Sequence, residues 1–449
     1  MICNMRKDTG YVIILNHSPE WNSLVEPLMK ALYKSDKNIQ ILWESNLAKK
    51  IFKNDKRFNN YKGEVIKVDR VSSLEEESAP QGYVFSAEVD RWNNWRIKKP
   101  GVIEMHAYYN NVKNFILKHY QENKNWVFIY EKPSTALSFA LLDLQEIKTN
   151  ISYIGLSPAR IPGFTEIHTS FLDKERVKSK NTKKVVRGVS ENKTPEYVTH
   201  SVDRSKLLGY LTLNKFKRLF LSFKYGKTSF QLQNATTAYL VFFINRILRI
   251  IKKRLIQYDK VSINSKYVIF PLHYHPEAST SLYAWWVPDE FSLLTIIRRA
   301  LPIDFQIIIK PHPDAIGQDY QLLNNIRKKI PGTLIVNPNT NNEAMLKNEN
   351  CKLLITINST MALDAIKNKV PSVYFGSGPF PNTQYCKQVN STKDLHKEFQ
   401  AVTSSTVPEK AYDEMLEDYI GSCEIFSLYA DNSLNNAVDF LNNYERGVQ

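Results

Sequence analysis

The sequence predicts an α/β protein with two parallel-sheet domains that bracket a basic helical insertion, and three observations predict it. Short apolar runs such as Tyr11–Leu15 each end in a polar turn and lead into a stretch with helical spacing. That alternation lapses near Gly163 and starts again near Tyr267. Between the two halves, Ser205–Tyr258 holds no Asp or Glu but eleven Lys or Arg. At 449 residues the chain exceeds one ordinary domain and suits two or three. Apolar strands separated by helices of this length belong to βαβ units.

In order, Tyr11–Leu15 reads as the first strand, and Asn16-His17-Ser18-Pro19-Glu20 leads into a helix from about Asn22 to Tyr33, capped by Ser18 or Asn16. Ile39–Trp43 and Trp126–Tyr130 are the next strands recognised. Glu131-Lys132-Pro133-Ser134-Thr135 then opens a helix through about Leu144, and the strand Ile151–Ile154 runs into Gly155–Arg160. The second half gives strands at Tyr267–Phe270, Asp304–Lys310, Thr333–Val336, Lys352–Ile357 and Ser372–Phe375. Helices are expected between them at Glu290–Ala300, Tyr320–Lys329, Asn342–Lys347 and Thr360–Lys367.

Composition narrows the class. Apolar residues make up 43%, enough for substantial cores, and the net charge is +15. The four cysteines (Cys3, Cys351, Cys386, Cys423) are scattered without a CxxC, which suits reduced cytosolic thiols rather than a disulfide framework or structural zinc. Met1–Asp8 is polar and leads straight into a short strand, so no signal peptide is expected. With only 15 Gly and no GxGxxG or Walker-type loop, an ordinary dinucleotide or ATP site is not expected.

The basic segment also carries apolar runs such as Leu219-Phe220-Leu221 and Tyr239–Ile244. Basic residues interleaved with large apolar ones suit an amphipathic helix on an anionic membrane surface. The alternative is a helical insertion that packs its apolar face on the body and solvates its charges. No apolar run is long enough to span a bilayer. No nucleic-acid-binding motif accompanies the charge, so nucleic acid is not expected as a partner. A second basic run, Lys174–Arg187, reads as a mobile loop.

Three strand ends in the second half are rich in polar side chains and point to one cleft, because ligands of open α/β sheets bind beyond the carboxyl ends of strands. The first, Phe270-Pro271-Leu272-His273-Tyr274-His275-Pro276-Glu277-Ala278-Ser279-Thr280, offers two imidazoles, a carboxylate and two hydroxyls. His-x-His spacing is compatible with metal, but a third ligand is missing unless Glu277 turns back; contact with sugar hydroxyls or phosphate is the alternative. The second, Lys310-Pro311-His312-Pro313-Asp314, fixes an ammonium and an imidazole between prolines, suited either to a phosphate leaving group or to a plain turn. The third, Asn358-Ser359-Thr360, opens a helix, where hydroxyls and free N–H groups either bind an anion or simply cap.

These three elements, with Leu156-Ser157-Pro158-Ala159-Arg160-Ile161-Pro162-Gly163, resemble the bacterial capsule and surface polysaccharide biosynthesis glycosyltransferases related to Kdo transferases that use CMP-activated sugars. The resemblance covers about 120 residues strongly and the remaining architecture loosely. It implies a GT-B-like fold: two Rossmann-like domains facing each other across a cleft. The expected units are residues 1–170 for the acceptor domain, 171–262 for the basic insertion, 263–425 for the nucleotide-sugar domain, and 426–449 for a helix returning to the first domain. It further implies a CMP-sugar donor lying against His312, Ser359 and Thr360, with Lys310, His275, Glu277 and Asn358 nearby. His275 stands where many relatives are expected to carry glutamine. No cofactor and no catalytic metal are implied; His273 and His312 would assist the departing phosphate.

A carboxylate is still needed as general base or nucleophile. Glu131, directly after a strand, is the first candidate, its alternative role being to complement the following helix dipole. Arg160 would hold an acidic acceptor or the donor carboxylate, and His17 and Glu20 occupy the matching place after the first strand. The expected activity is cytoplasmic transfer of an acidic nonulosonate such as Kdo to a polysaccharide or lipid-linked saccharide, with the enzyme peripheral on the inner membrane face. The rivals are a CDP-glycerol-type polyol-phosphate transferase and a non-catalytic polysaccharide- or lipid-binding scaffold.

Overall fold

The structure, a computed structural model, describes residues 9–59, 61, 63–66, 82–85, 88, 101–120, 124–171, 213–225, 235–260, 265–275, 277–378, 380–428 and 434–447. The basic run 174–187 and Cys3 lie outside them. Thirteen strands are present among the described residues: β1 Thr9–Leu15, β2 Asn38–Trp43, β3 Gly63–Val65, β4 Asn125–Glu131, β5 Ile151–Pro158, β6 Thr165–His168, β7 Tyr267–Pro271, β8 Gln306–Lys310, β9 Thr333–Ile335, β10 Cys351–Thr356, β11 Ser372–Tyr374, β12 Cys386–Gln388 and β13 Cys423–Glu424. They form a seven-stranded sheet in the order β13-β6-β5-β4-β1-β2-β3 and a six-stranded sheet in the order β12-β11-β10-β7-β8-β9.

Each sheet is a doubly wound, Rossmann-like unit. In the second, every pairing is parallel, and the chain reverses its direction of travel between β7 and β10. In the first, the equivalent reversal lies between β1 and β4. Those two switch points are where such sheets open a crevice. Tyr11 to Leu15 and Val268 to Phe270 are completely buried, as strands covered on both faces require. Ser18 caps the helix Pro19–Lys34 by accepting the Trp21 N–H at 3.3 Å, with Pro19 in the first turn.

Two parts of the first domain escape the strand–helix rhythm. The helix Val102–His119 has a buried face spread over tyrosines (Tyr108, Tyr109) and broken by asparagines, so its period is weak in the sequence. Past Gly163 the sheet continues with β6, antiparallel to β5, and β13 pairs antiparallel with β6. The chain therefore returns to the first sheet at Cys423, and the helix Leu434–Gly447 buries Ala437, Val438, Phe440 and Leu441 in the first core.

The return is bolted by Tyr419, in the helix Ala411–Gly421. Its hydroxyl donates to Glu166 Oε1 at 2.5 Å and accepts the Arg160 N–H at 2.8 Å. Ser157 also donates to Glu166, at 3.1 Å, and both Tyr419 and Glu166 are buried. Tyr419→Phe leaves a buried carboxylate short of a donor and a partly buried N–H short of an acceptor. We expect a loss of about 2 kcal/mol, seen as a lower denaturation midpoint at unchanged slope.

The insertion supplies two helices, Leu213–Tyr225 and Ala235–Leu255. The first packs Leu221 and Tyr225 on the first core, with Lys50 over the Tyr225 ring and Arg218 over Phe52. The second lies against the other domain, Arg249 Nε donating to Ile316 O at 3.1 Å. Among the described residues no helix is long and apolar enough to cross a membrane. Cys351, Cys386 and Cys423 are buried.

Candidate active site

At the switch point of the second sheet, the chain leaving β7 is tied to the chain leaving β10 through His273. The Asn358 N–H donates to His273 Nε2 at 3.2 Å, so the ring proton sits on Nδ1, facing Glu290 Oε1 at 3.3 Å. The His273 N–H donates to the same carboxylate oxygen at 2.8 Å. His275 Nε2 lies 3.3 Å from the other oxygen, Glu290 Oε2. One buried carboxylate thus holds both imidazoles of the His-x-His element. Burial alone would raise the Glu290 carboxyl, but hydrogen bonds from His273 and His275 outweigh it and hold it at about 2.

A second buried carboxyl stands close by. Burial, reinforced by the Glu290 charge, pushes Asp319 up to about 8, so it carries a proton at neutral pH beside an ionised neighbour. Its Oδ2 is buried without a hydrogen-bond partner among the described residues. Two acids whose environments drive them apart are characteristic of sites that handle protons or charge.

His312 accepts the Asp314 N–H at Nδ1, 3.2 Å away, which leaves the proton of the neutral ring on Nε2. Burial lowers this imidazole below its usual value, against the opposing charges of Glu277 and Asp314. Its ring lies 5.9 Å from Tyr274. Glu277 accepts from Ser279 Oγ at 2.9 Å, and its carbonyl takes the Thr280 and Ser281 hydroxyls. Lys310 sits on the opposite face of its strand from the side chains of Ile307 and Ile309, with its ammonium donating to Thr340 O at 2.7 Å and to Asn342 Oδ1. Burial lowers it, with Asp364 opposing.

Asn358 is buried, and its Oδ1 has no hydrogen-bond partner among the described residues. The loop after β11 closes over it: a Cβ at Gly378 would lie 2.5 Å from that oxygen, so a larger residue there would have to displace the Asn358 amide. Ser359 Oγ accepts the Met361 N–H at 3.3 Å and thus caps its helix, whereas Thr360 makes no side-chain capping bond.

The first domain gathers polar groups at its own switch point. Asn16, after β1, donates from Nδ2 to Glu131 Oε1 at 2.9 Å and to the Tyr130 hydroxyl at 3.1 Å. It is not the helix cap; its Oδ1 accepts the Ser18 N–H instead. The Tyr153 hydroxyl donates to Glu131 O. His17 Nδ1 lies 3.4 Å from Oε1 of Glu44, a buried carboxylate at the end of β2. Glu88 accepts the Ala136 N–H at the start of the helix Ala136–Ile147. Glu20 is taken up by Ser18 Oγ at 3.0 Å on the surface.

Tyr283 joins the two switch points. It follows the β7 loop, yet Leu282 and Tyr283 are buried in the first domain's core. Its hydroxyl donates to Pro133 O at 3.0 Å, its carbonyl accepts the Ser377 N–H at 2.6 Å, and the Lys132 ammonium lies 5.4 Å from its ring centroid. The segment that follows the loop carrying His273, His275 and Glu277 therefore packs against the turn that follows Glu131. Arg160 reaches the second domain separately, its guanidinium 5.5 Å from the Phe380 ring centroid.

Most of the expected residues thus fall into two groups. His273, His275, Glu277, His312, Asn358, Ser359 and Thr360 surround the second switch point, with Lys310 at the end of β8 tied to Thr340 and Asn342; Glu131 and His17 lie at the first, and Arg160 stands apart from both against Phe380. Glu290, Asp319, Asn16, Glu44 and Tyr283 were not singled out for the site from the sequence. An acidic residue opening a helix gives no local sign that two imidazoles converge on it.

A sequence model of the family described as capsule polysaccharide biosynthesis protein matches residues 178–403. No curated protein matches the chain. Among solved structures, a Thermosulfurimonas dismutans KpsC beta-Kdo 2,7 transferase is similar at 12% identity, covering 66% of this chain and 80% of its own, with a TM-score of 0.32. The UDP-GlcNAc 2-epimerase of Methanocaldococcus jannaschii, in complex with UDP-GlcNAc and UDP, is similar at 11% identity over 91% of this chain and 98% of its own, with a TM-score of 0.29. The kitacinnamycin glycotransferase follows at 12% identity, 98% and 99% coverage, and a TM-score of 0.28.

Proposed function

The chain belongs to the capsule polysaccharide biosynthesis protein family, and from that premise we propose that it is a cytoplasmic glycosyltransferase using a CMP-activated acidic sugar such as Kdo. The observation that carries this reading is the bracket of His273 and His275 on Glu290, tied to Asn358 across the switch point of the second sheet. Such a bracket fixes side chains where a nucleotide-sugar phosphate would lie. His312, bonded through Nδ1, presents its Nε2 proton to a phosphate oxygen that gains charge as the glycosidic bond breaks. Thr360 and Ser359 add hydroxyls at the same strand end. His273, with both nitrogens engaged, positions rather than transfers protons.

Glu131 acts from the other domain, as the base for an acceptor hydroxyl or as the nucleophile. Asn16 aims it, and the Tyr283 bridge packs the turn after it against the segment following the donor loop. Arg160 faces the acidic group of donor or acceptor. The acceptor is a growing polysaccharide or a lipid-linked saccharide, drawn with the acidic donor to a chain of net charge +15. Phosphate departure is assisted by these side chains, without a catalytic metal being required.

The reading is tested by incubating the protein with CMP-Kdo and a capsular oligosaccharide, following CMP release and the acceptor's mass. Transfer is expected. Transfer from CDP-glycerol alone would replace the sugar donor by a polyol phosphate, and no transfer from any activated donor would favour a scaffold. In the same assay His312→Ala is expected to lower kcat by about 10²- to 10³-fold, the scale of losing one transition-state donor.

A further inference from the structure

We propose that the helices Leu213–Tyr225 and Ala235–Leu255 form a face that docks on an anionic lipid bilayer, an inference that rests on the lipid-linked acceptor proposed above. A surface helix of a soluble protein normally turns its apolar stripe to the core. Among the described side chains of the helix Ala235–Leu255 the reverse holds. Leu240, Ile244, Ile247, Leu248, Ile251 and Leu255 are spaced i, i+4, i+7, i+8, i+11 and i+15, within an arc of about 100°, and all are exposed, Ile244 and Ile251 by 53% and 54%.

One polar side chain of the helix faces the protein. Arg249, on the opposite side of the helix from that stripe, donates to Ile316 O. The helix backbone presses on Gly317, where φ is +84° and a Cβ would lie 2.2 Å from Arg249 O. The neighbouring helix repeats the pattern, with Leu221 and Tyr225 turned inward while Phe220 and Phe223 are 73% and 68% exposed. Lys217, Lys224, Lys253 and Arg254 are exposed on the same two helices, and no acidic residue occurs in the whole segment Ser205–Tyr258.

Charge and apolarity together select the occupant. A second copy of this chain would bring like charges against each other across a self-complementary contact. A nucleic acid would answer the lysines but leave the isoleucines in water. An anionic bilayer takes both, the apolar side chains entering the acyl boundary and the cations meeting headgroups. Docking also sets the donor site near the membrane, because Gly317 belongs to the turn between His312 and Gln318, and Gln318 Nε2 holds His275 O at 2.6 Å.

The test is co-sedimentation of the full chain with phosphatidylcholine vesicles, with and without about 30 mol% phosphatidylglycerol. Binding is expected to the anionic vesicles and not to the neutral ones. The double variant Ile247→Glu/Ile251→Glu, at exposed positions, is expected to lose at least about tenfold in vesicle affinity while transferring normally to a water-soluble acceptor. A wild-type chain left in the supernatant with anionic vesicles would overturn the proposal, as would a variant that binds equally well. A dimer in size-exclusion chromatography that the variant dissolves would assign the face to a second copy instead. Vesicle binding without transfer from any donor would overturn the enzymatic reading and leave the docking face standing.

Discussion

Glu290→Ala is expected to cost about 3–5 kcal/mol of stability, the range for breaking a buried charge pair by removing one partner, and to abolish measurable donor binding. The carboxylate is buried and answers three donors or charges: the His273 N–H, the His273 ring and the His275 ring. Without it, two imidazoles and a backbone N–H lose their partner at once, and the tie from His273 to Asn358 loses its anchor. Glu290→Gln keeps the shape without the charge and separates folding from electrostatics.

The pH dependence follows from the direction of the shift. The Glu290 carboxyl titrates at about 2 when folded, against an ordinary value of 4.5. A depressed folded value gives stability that is fully present above pH 4.5 and is lost as pH falls toward 2. The interval corresponds to about 3 kcal/mol. Wild-type denaturation midpoints should therefore fall through this window, while those of Glu290→Gln should fall less. Equal pH profiles for the two proteins would show that the bracket carries no such energy.

Glu131→Gln is expected to lower kcat by about 10²- to 10⁴-fold, the usual contribution of a positioned base, with CMP affinity unchanged. The substitution is nearly isosteric, and Asn16 sits within bonding distance of either side chain, so the fold should survive. Because Glu131 belongs to the first domain and the donor bracket to the second, the loss should appear in turnover and not in nucleotide binding. Loss of CMP binding instead would move Glu131 to the donor side, and undiminished turnover would remove it from the chemistry.

Much of this arrangement is legible in the sequence, and the reason is local. Strands β1, β4, β7, β8 and β10 are continuous apolar runs, and the polar residues that end them must fall at the carboxyl edge of a parallel sheet. What is illegible is tertiary. Glu290 opens a helix, where an acid is already explained by the helix dipole. Asn16 looks like a cap, yet its amide crosses to Glu131 from β4, far along the chain. The short antiparallel strands β6 and β13 have too few residues to show a period, and their pairing closes a gap of more than two hundred residues. Tyr283 is one more aromatic until its hydroxyl is seen on Pro133 of the other domain. For the insertion, composition announces basic amphipathic helices, but only the fold shows which side faces out.

The most direct measurement is calorimetric titration of the protein with CMP, alongside UMP, GMP and CDP-glycerol. Selective CMP binding is expected, weakened in His312→Ala and absent in Glu290→Ala, with Glu131→Gln binding as the wild type does. Binding confined to UMP or GMP, or CMP binding indifferent to both donor-side substitutions, would contradict the proposed donor site.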